Sequence, residues 1–207
     1  MIKKIFKNYL NRLPFIPNSS NYSVEINESG WNDQYNTGRW SYLDQLSELA
    51  HYSVIVGYCQ HFALNGKILD VGCGEGVLQQ RLSILPYGHY TGIDISSVAI
   101  ENAQQYKNKH TEFQATDALS FQTNERYNII IFNESLYCFN DCINVLQHYQ
   151  SLLTDDGVFI ISMHVQELSL KHWKRIEEHH DVIDSVKITN QENTSWICKA
   201  IRPKHDN

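Results

Sequence analysis

The chain has 207 residues, a formal net charge of −6, 42% hydrophobic residues and 19% charged residues. This composition supports a sizeable core and excludes outright disorder, and the acidic balance argues against a protein held on a nucleic-acid backbone by counterion release. No apolar run approaches the roughly 18–20 residues of a membrane span; the longest, at 129–132 and 158–161, suit buried strands. Five scattered cysteines with no Cys-x-x-Cys pair make a disulfide framework or a metal site improbable. A cytoplasmic, reducing setting is the expectation.

Taken in chain order, Lys3, Lys4, Lys7 and Arg12 form a basic arm ahead of the first acid, Glu25, without the apolar centre of a signal peptide. The arm reads either as a solvated terminus or as a surface for an acidic partner or a membrane. Residues 11–39, rich in Asn, Ser and Pro, read as an irregular lead-in. From Trp40 to about Leu64 the apolar spacing suits one or two helices. Residues 67–71 then read as a buried strand, 72–76 as a tight turn and 77–85 as a helix stopping before Pro86. A strand at 90–94 is followed by Ser96 and Ser97, N-caps for a helix to about Tyr106. A weak strand at 112–115 and a strong one at 127–132 come next. A helix carrying Ile143, Val145, Leu146 and Tyr149 ends in a turn at 154–157, before a strand at 158–162. A helix near 168–178 and two strand-like stretches, 181–188 and 195–201, complete the chain.

Strands alternating with helices, the strands short and almost wholly apolar, predict an α/β fold: a mostly parallel sheet covered on both faces. Ligands of such sheets sit beyond the C-terminal strand ends. Those ends carry, in order, Asp70 with Gly72, Cys73, Gly74 and Gly76; Asp94 with Ile95; Asp117 with Ala118; and Asn133 with Glu134. Glycines let the chain approach a ligand closely. An acid ending the second strand can accept both hydroxyls of a ribose, and Asp117 can accept an exocyclic amino group of a base. The competing reading is that Asp94 and Asp117 merely cap the helices after them. A nicotinamide-dinucleotide enzyme is the nearest alternative by fold, but Glu75 inside the glycine turn would repel a diphosphate.

The motif ILDVGCGEG at 68–76 resembles the first motif of the class I S-adenosylmethionine-dependent methyltransferases. TGID at 91–94, ATDA at 115–118, YNIIIFN at 127–133 and LLTDDGVFII at 152–161 resemble the succeeding motifs, in order. The resemblance covers roughly residues 66–163. It implies a Rossmann-like sheet of seven strands with the last antiparallel, in a methyltransferase domain over 66–207, and S-adenosylmethionine as cofactor; residues 1–65, which these motifs do not cover, are expected to form an N-terminal extension and helical cap or lid. The resemblance further implies that Asp70, Gly72, Cys73 and Gly74 line the methionine end. Asp94 would hold the ribose, with Ile95 against the adenine, Asp117 and the Ala118 backbone at its edge, and Asn133 at the methionine amino group.

Two titratable groups follow strand ends and are the candidates for a general base, Glu134 and His164; each can equally serve as a bonded loop residue. Trp31, Tyr35, Arg39, Trp40 and Tyr42, with Tyr137, are expected either to form a lid or pocket or simply to pack the N-terminal segment on the sheet. A small-molecule acceptor is expected, with DNA excluded and RNA disfavoured by the charge balance. The NESLY run at 133–137 with its aromatic upstream segment resembles methyltransferases of sugar, surface-polysaccharide and nodulation-factor pathways. O- and N-methylation, a protein or RNA acceptor, and a non-catalytic cofactor-binding module all stay open, and nothing specifies an oligomeric state.

Overall fold

The computed structural model describes residues 27–204, so the basic arm at Lys3, Lys4, Lys7 and Arg12 lies outside the described residues. Helices α1 (Glu28–Asn36) and α2 (Leu46–Phe62) lead into strand β1 (Lys67–Val71). Helix α3 (Val77–Leu82), β2 (His89–Asp94), α4 (Ser97–Ala103), β3 (Thr111–Ala115) and β4 (Tyr127–Asn133) follow. Then come α5 (Cys142–Gln150), β5 (Leu153–His164), α6 (Glu167–His179), β6 (His180–Thr189) and β7 (Ser195–Pro203).

The seven strands form one sheet in the order β3-β2-β1-β4-β5-β7-β6. β1 pairs in parallel with both β2 and β4, whereas β7 runs antiparallel to β5 and β6. Strand order reverses between β1 and β4, so the loops leaving these two neighbours diverge and open a crevice at their C-terminal ends.

Both faces of the central strands are buried, and the pleat assigns alternate residues to each. Ile68, Ile129, Ile131, Val158 and Ile160 pack with Tyr52, Ile55 and Cys59 of α2 and with residues of α3 and α4. Leu69, Val71, Ile130, Phe132, Phe159 and Ile161 pack on the other face with Val145, Leu146 and Tyr149 of α5 and Trp173 and Ile176 of α6. A strand sandwiched in this way reads as an unbroken apolar run because neither face meets water.

Three stretches differ from the sequence expectation. Within the lead-in, residues 28–36 are helical; Trp31 and Tyr35, four apart, are its only apolar pair and no side chain of α1 is fully buried, too short a pattern to mark a helix among Asn, Ser and Asp. Asn27 caps it by accepting from the Gly30 amide at 3.0 Å, and polar bonds fasten it to α4. The Asn32 Oδ1 accepts from the Ser96 hydroxyl at 2.6 Å, and the Glu28 carboxylate accepts from Ser97 at 2.7 Å. Residues 37–45 run in turns, so helix starts at Leu46 rather than near Trp40. Finally, β5 begins at Leu153 and absorbs 154–157 in a register shift against β4, where a turn was expected.

Gly72 holds the turn after β1 in a left-handed conformation, φ +80, and a Cβ there would lie 2.6 Å from that of Ser135. Ser135 is itself tied across the switch point by donating to the Val71 carbonyl at 2.6 Å. Gly72→Ala should therefore lower unfolding free energy by about 1–3 kcal/mol in urea titrations; an unchanged midpoint would show that this turn is not constrained.

Candidate active site

A cavity of about 1110 Å³ occupies the crevice at the strand ends. Asp70, Gly72, Cys73, Gly74, Asp94, Ile95, Asp117, Ala118, Asn133, Glu134, Tyr137 and His164 all line it.

Asp70 lies at the buried end of β1, 1% exposed. One oxygen accepts from the Tyr90 hydroxyl at 2.6 Å, while Oδ1 has no hydrogen-bond partner. Burial pushes this carboxyl up to about 7, offset in part by the Tyr90 bond. Across the reversal, Asn133 Oδ1 is likewise buried without a partner. Two orphaned acceptors lining one cavity fit a ligand that brings hydrogen-bond donors, such as an ammonium group.

Asp94 ends β2 with both oxygens engaged by backbone amides, Gly74 at 2.9 Å on Oδ2 and Ser96 at 2.9 Å on Oδ1. Burial raises it to about 6 against the pull of those bonds. The helix cap proper belongs to Ser96, whose hydroxyl oxygen accepts from the Ala99 amide at 3.1 Å. Asp117 is exposed at the rim and does cap a turn, its Oδ1 accepting from Leu119 and Ser120 amides. Capping and lining thus coexist in the same residue.

Glu134 sits just past β4 with φ +57, a conformation few residues with side chains adopt. Its amide donates to the Ser162 carbonyl at 2.9 Å, which pins the strained turn against β5. Its carboxylate accepts from the His164 amide at 3.0 Å, the Tyr137 hydroxyl at 3.2 Å and the Ser162 hydroxyl at 3.2 Å. Enclosure outweighs these three donors and lifts the carboxyl to about 8, with Glu48 adding to the rise. The His164 ring meets Trp196 edge-on at 6.2 Å between centroids, and burial lowers its pKa from the usual imidazole value.

Trp31, Tyr35, Trp40 and Tyr42 also line the cavity, with Trp40 central: its ring lies 6.0, 6.3 and 6.2 Å from those of Trp31, Tyr35 and Tyr42. They pack on one another and wall the site at once. The Tyr35 hydroxyl lies 2.9 Å from where a Cβ would stand on Gly74. Arg39 is the exception among the expected residues. Its guanidinium rests 5.8 Å from the Trp40 ring centroid and does not line the cavity, because the turns after α1 hold it on the aromatic cluster.

Sequence reasoning missed Glu48, Tyr52 and Trp196, which line the cavity beside Glu134 and His164. Glu48 and Tyr52 stand four apart on α2, a spacing that puts both on one helix face; what marks Glu48 is its burial, which the sequence does not show. Burial raises Asp70, Asp94 and Glu134 above ordinary carboxylate values, so these groups hold protons that the unfolded chain has released. Burial lowers His51, His164, His172 and His180, which act in the opposite sense below about pH 6.5. The contribution of the acids should show as a fall in stability as pH rises from about 6.5 to 8. Glu134→Gln should flatten the fall in melting temperature; an unchanged slope would show that Glu134 is not desolvated.

The methyltransferase domain family matches residues 64–204. Malonyl-[acyl-carrier protein] O-methyltransferase of Bacillus anthracis is 30% identical over 150 residues, covering 69% of this chain and 55% of that protein. Nodulation protein S of Azorhizobium caulinodans is 31% identical over 99 residues, covering 46% of this chain and 47% of that protein. The chain spans about half the length of the curated relatives it matches. Among solved structures, the N-methyltransferase NodS of Bradyrhizobium japonicum, in complex with S-adenosyl-L-homocysteine, superposes with a TM-score of 0.73 at 19% identity, covering 88% of this chain and 100% of that one. The 1,6-didemethyltoxoflavin-N1-methyltransferase of Burkholderia thailandensis gives 0.72 at 17% identity, covering 93% and 99%. At these identities the likeness is one of fold. With the family matched across most of the chain, and with the glycine turn and strand-end residues gathered at one crevice, this chain belongs to the class I S-adenosylmethionine-dependent methyltransferases.

Proposed function

We propose that the chain transfers a methyl group from S-adenosylmethionine to a small molecule, on oxygen or nitrogen, with a sugar or surface-polysaccharide precursor as the favoured acceptor type. The observation that carries this reading is the continuity of the cavity. It runs without interruption from the glycine turn, Asp94 and Asp117 past Asn133 to Glu134, His164 and Trp196. Its volume, about 1110 Å³, lies at the upper end of ligand-site sizes. Several structural neighbours are methyltransferases holding S-adenosylhomocysteine or S-adenosylmethionine, which supports the choice of cofactor. In keeping with a cytoplasmic setting, Cys59, Cys73, Cys138, Cys142 and Cys198 are all unbridged.

In this reading the orphaned oxygens of Asp70 and Asn133 take up the amino group of the methionine end. Asp94 exchanges its amide partners for ribose hydroxyls, and Asp117 with the Ala118 backbone meets the base. When bound, S-adenosylmethionine supplies an electrophilic methyl whose bond to sulfur breaks as the acceptor bond forms, the sulfur keeping the electron pair. The aromatic wall from Trp31 to Tyr42 excludes water and aligns the acceptor, and proximity of this kind is worth about 7–11 kcal/mol. Glu134 is the proton acceptor. Its carboxyl, lifted to about 8, is matched to proton transfer near neutral pH. His164 shapes the wall beside it and is the second choice for that role.

Calorimetry should detect S-adenosylhomocysteine binding and no comparable binding of NAD. Asp94→Asn should weaken it about 10- to 100-fold through loss of charge-assisted bonds. Tighter binding of NAD would overturn the reading. In a methyl-donor assay, Glu134→Gln should lower kcat by about 10²–10⁴-fold and remove the rise of rate with pH on the alkaline side of neutrality. A loss confined to His164→Asn would move the proton acceptor to that ring.

A further inference from the structure

The end of the cavity assigned to the methyl donor is closed over by α1. Glu28, Trp31 and Tyr35, three and four apart on one face of that helix, line the cavity together with Asp94 and Ile95. The Tyr35 hydroxyl reaches the glycine turn itself, at the point where Gly74 leaves room for it. Beneath this cover Asp70, Asp94 and Ser96 are all buried.

The core holds the other walls of this end but not α1. The strand ends and α2 belong to the two buried clusters on either face of the sheet, whereas no residue from 27 to 47 is fully buried. The rings of Trp31, Tyr35 and Trp40 pack α1 on the turns that follow it, which are equally shallow. Polar bonds centred on Asn32 tie the helix to the start of α4. The Asn32 Oδ1 accepts from the Ser96 hydroxyl at 2.6 Å and the Val98 amide at 3.3 Å, and its Nδ2 donates to the Ser97 hydroxyl at 3.2 Å. Ser97 donates in turn to the Glu28 carboxylate at 2.7 Å. Bonds of this kind exchange with water at little net cost, whereas apolar packing does not, so α1 can leave without disturbing the sheet.

Ser96 joins this tie to the ligand end. Its amide donates to Asp94 Oδ1 at 2.9 Å, and its hydroxyl donates to Asn32. A ribose that takes over Asp94 loosens the amide bonds that shape the loop after β2, and Asn32 then holds Ser96 in place from the other side. Asn32 does this from outside, since it does not line the cavity.

Resting on the methyltransferase reading, we propose that α1 is a lid over the methyl-donor end and that Asn32 is the positioning residue that latches it. The donor enters while α1 is released from α4. Once the nucleoside is seated, Asn32 closes on Ser96 and Val98, and Trp31 and Tyr35 shield the ligand from water. The latch therefore sets how long the ligand stays, without touching it.

The test uses the full chain and S-adenosylhomocysteine, whose binding is measured first; failure to bind overturns the methyltransferase reading and the latch with it. Release is then followed by stopped-flow displacement, and closure by trypsin cleavage after Arg39, in the turns behind α1. Asn32→Ala should speed release at least about tenfold while association stays within about threefold, as expected when a closed state is lost and the pocket is intact. Ser97→Ala, which removes the second tie, should speed release by a smaller factor, about threefold. S-adenosylhomocysteine should protect Arg39 in the unsubstituted chain and fail to protect it in Asn32→Ala. The latch alone is overturned if the ligand binds but both variants release it at the original rate. It is equally overturned if association slows as much as release quickens, or if the ligand leaves cleavage at Arg39 unchanged in the unsubstituted chain.

Discussion

Holding the Asp70 carboxylate out of water, with one oxygen on the Tyr90 hydroxyl and the other on nothing, is the constraint around which the crevice is organised. An unsatisfied buried polar group of this kind costs about 1–3 kcal/mol, more if charged, and persists where a ligand completes it. The fold keeps it there by geometry. β1 is flanked by β2 and β4 in parallel, Tyr90 reaches Asp70 from the neighbouring strand, and the left-handed Gly72 turns the chain away just above it. The same turn places the Gly74 amide on Asp94, so the first two strand ends share one polar web.

The central sheet was legible in the sequence because its physics is local and redundant. Residues such as Ile68, Leu69, Ile130 and Ile160 are buried on both sides of the sheet and leave unbroken apolar runs that few other structures produce. The positions of the polar strand ends were legible because acids and glycines stand directly after those runs, and the capping that the sequence also offered is seen at Asp117. Helix α1 was not legible, since bonds from Asn32 and Glu28 to α4, rather than an apolar stripe, hold it in place. Glu48 was also invisible, as an acid on a helix reads as a solvated position until tertiary structure turns it inward. Arg39 shows the opposite failure, a plausible charge whose neighbouring turns keep it on Trp40.

The two ends of the cavity differ in chemistry. Around the glycine turn, the backbone supplies amides to Asp94, and the unpaired oxygens await donors, which suits a nucleoside carrying an amino-acid tail. Around Glu134 the backbone is strained, the carboxyl is held by the His164 amide and two hydroxyls, and aromatic rings line the space. A carboxyl raised by enclosure yet gripped by three donors is poised between its two protonation states, which is the property that proton transfer needs. Fold and family membership bear on the first end, whereas the second is where the proposed acceptor would stand.

A crystal structure of the chain with S-adenosylhomocysteine tests the central claim most directly. The account predicts the ligand's amino group within hydrogen-bond distance of Asp70 Oδ1 or Asn133 Oδ1, the ribose hydroxyls on Asp94 in place of the Gly74 amide, and open space beside Glu134. A ligand bound elsewhere, or Asp94 still closed on Gly74 with the Asp70 oxygen unpartnered, would contradict it.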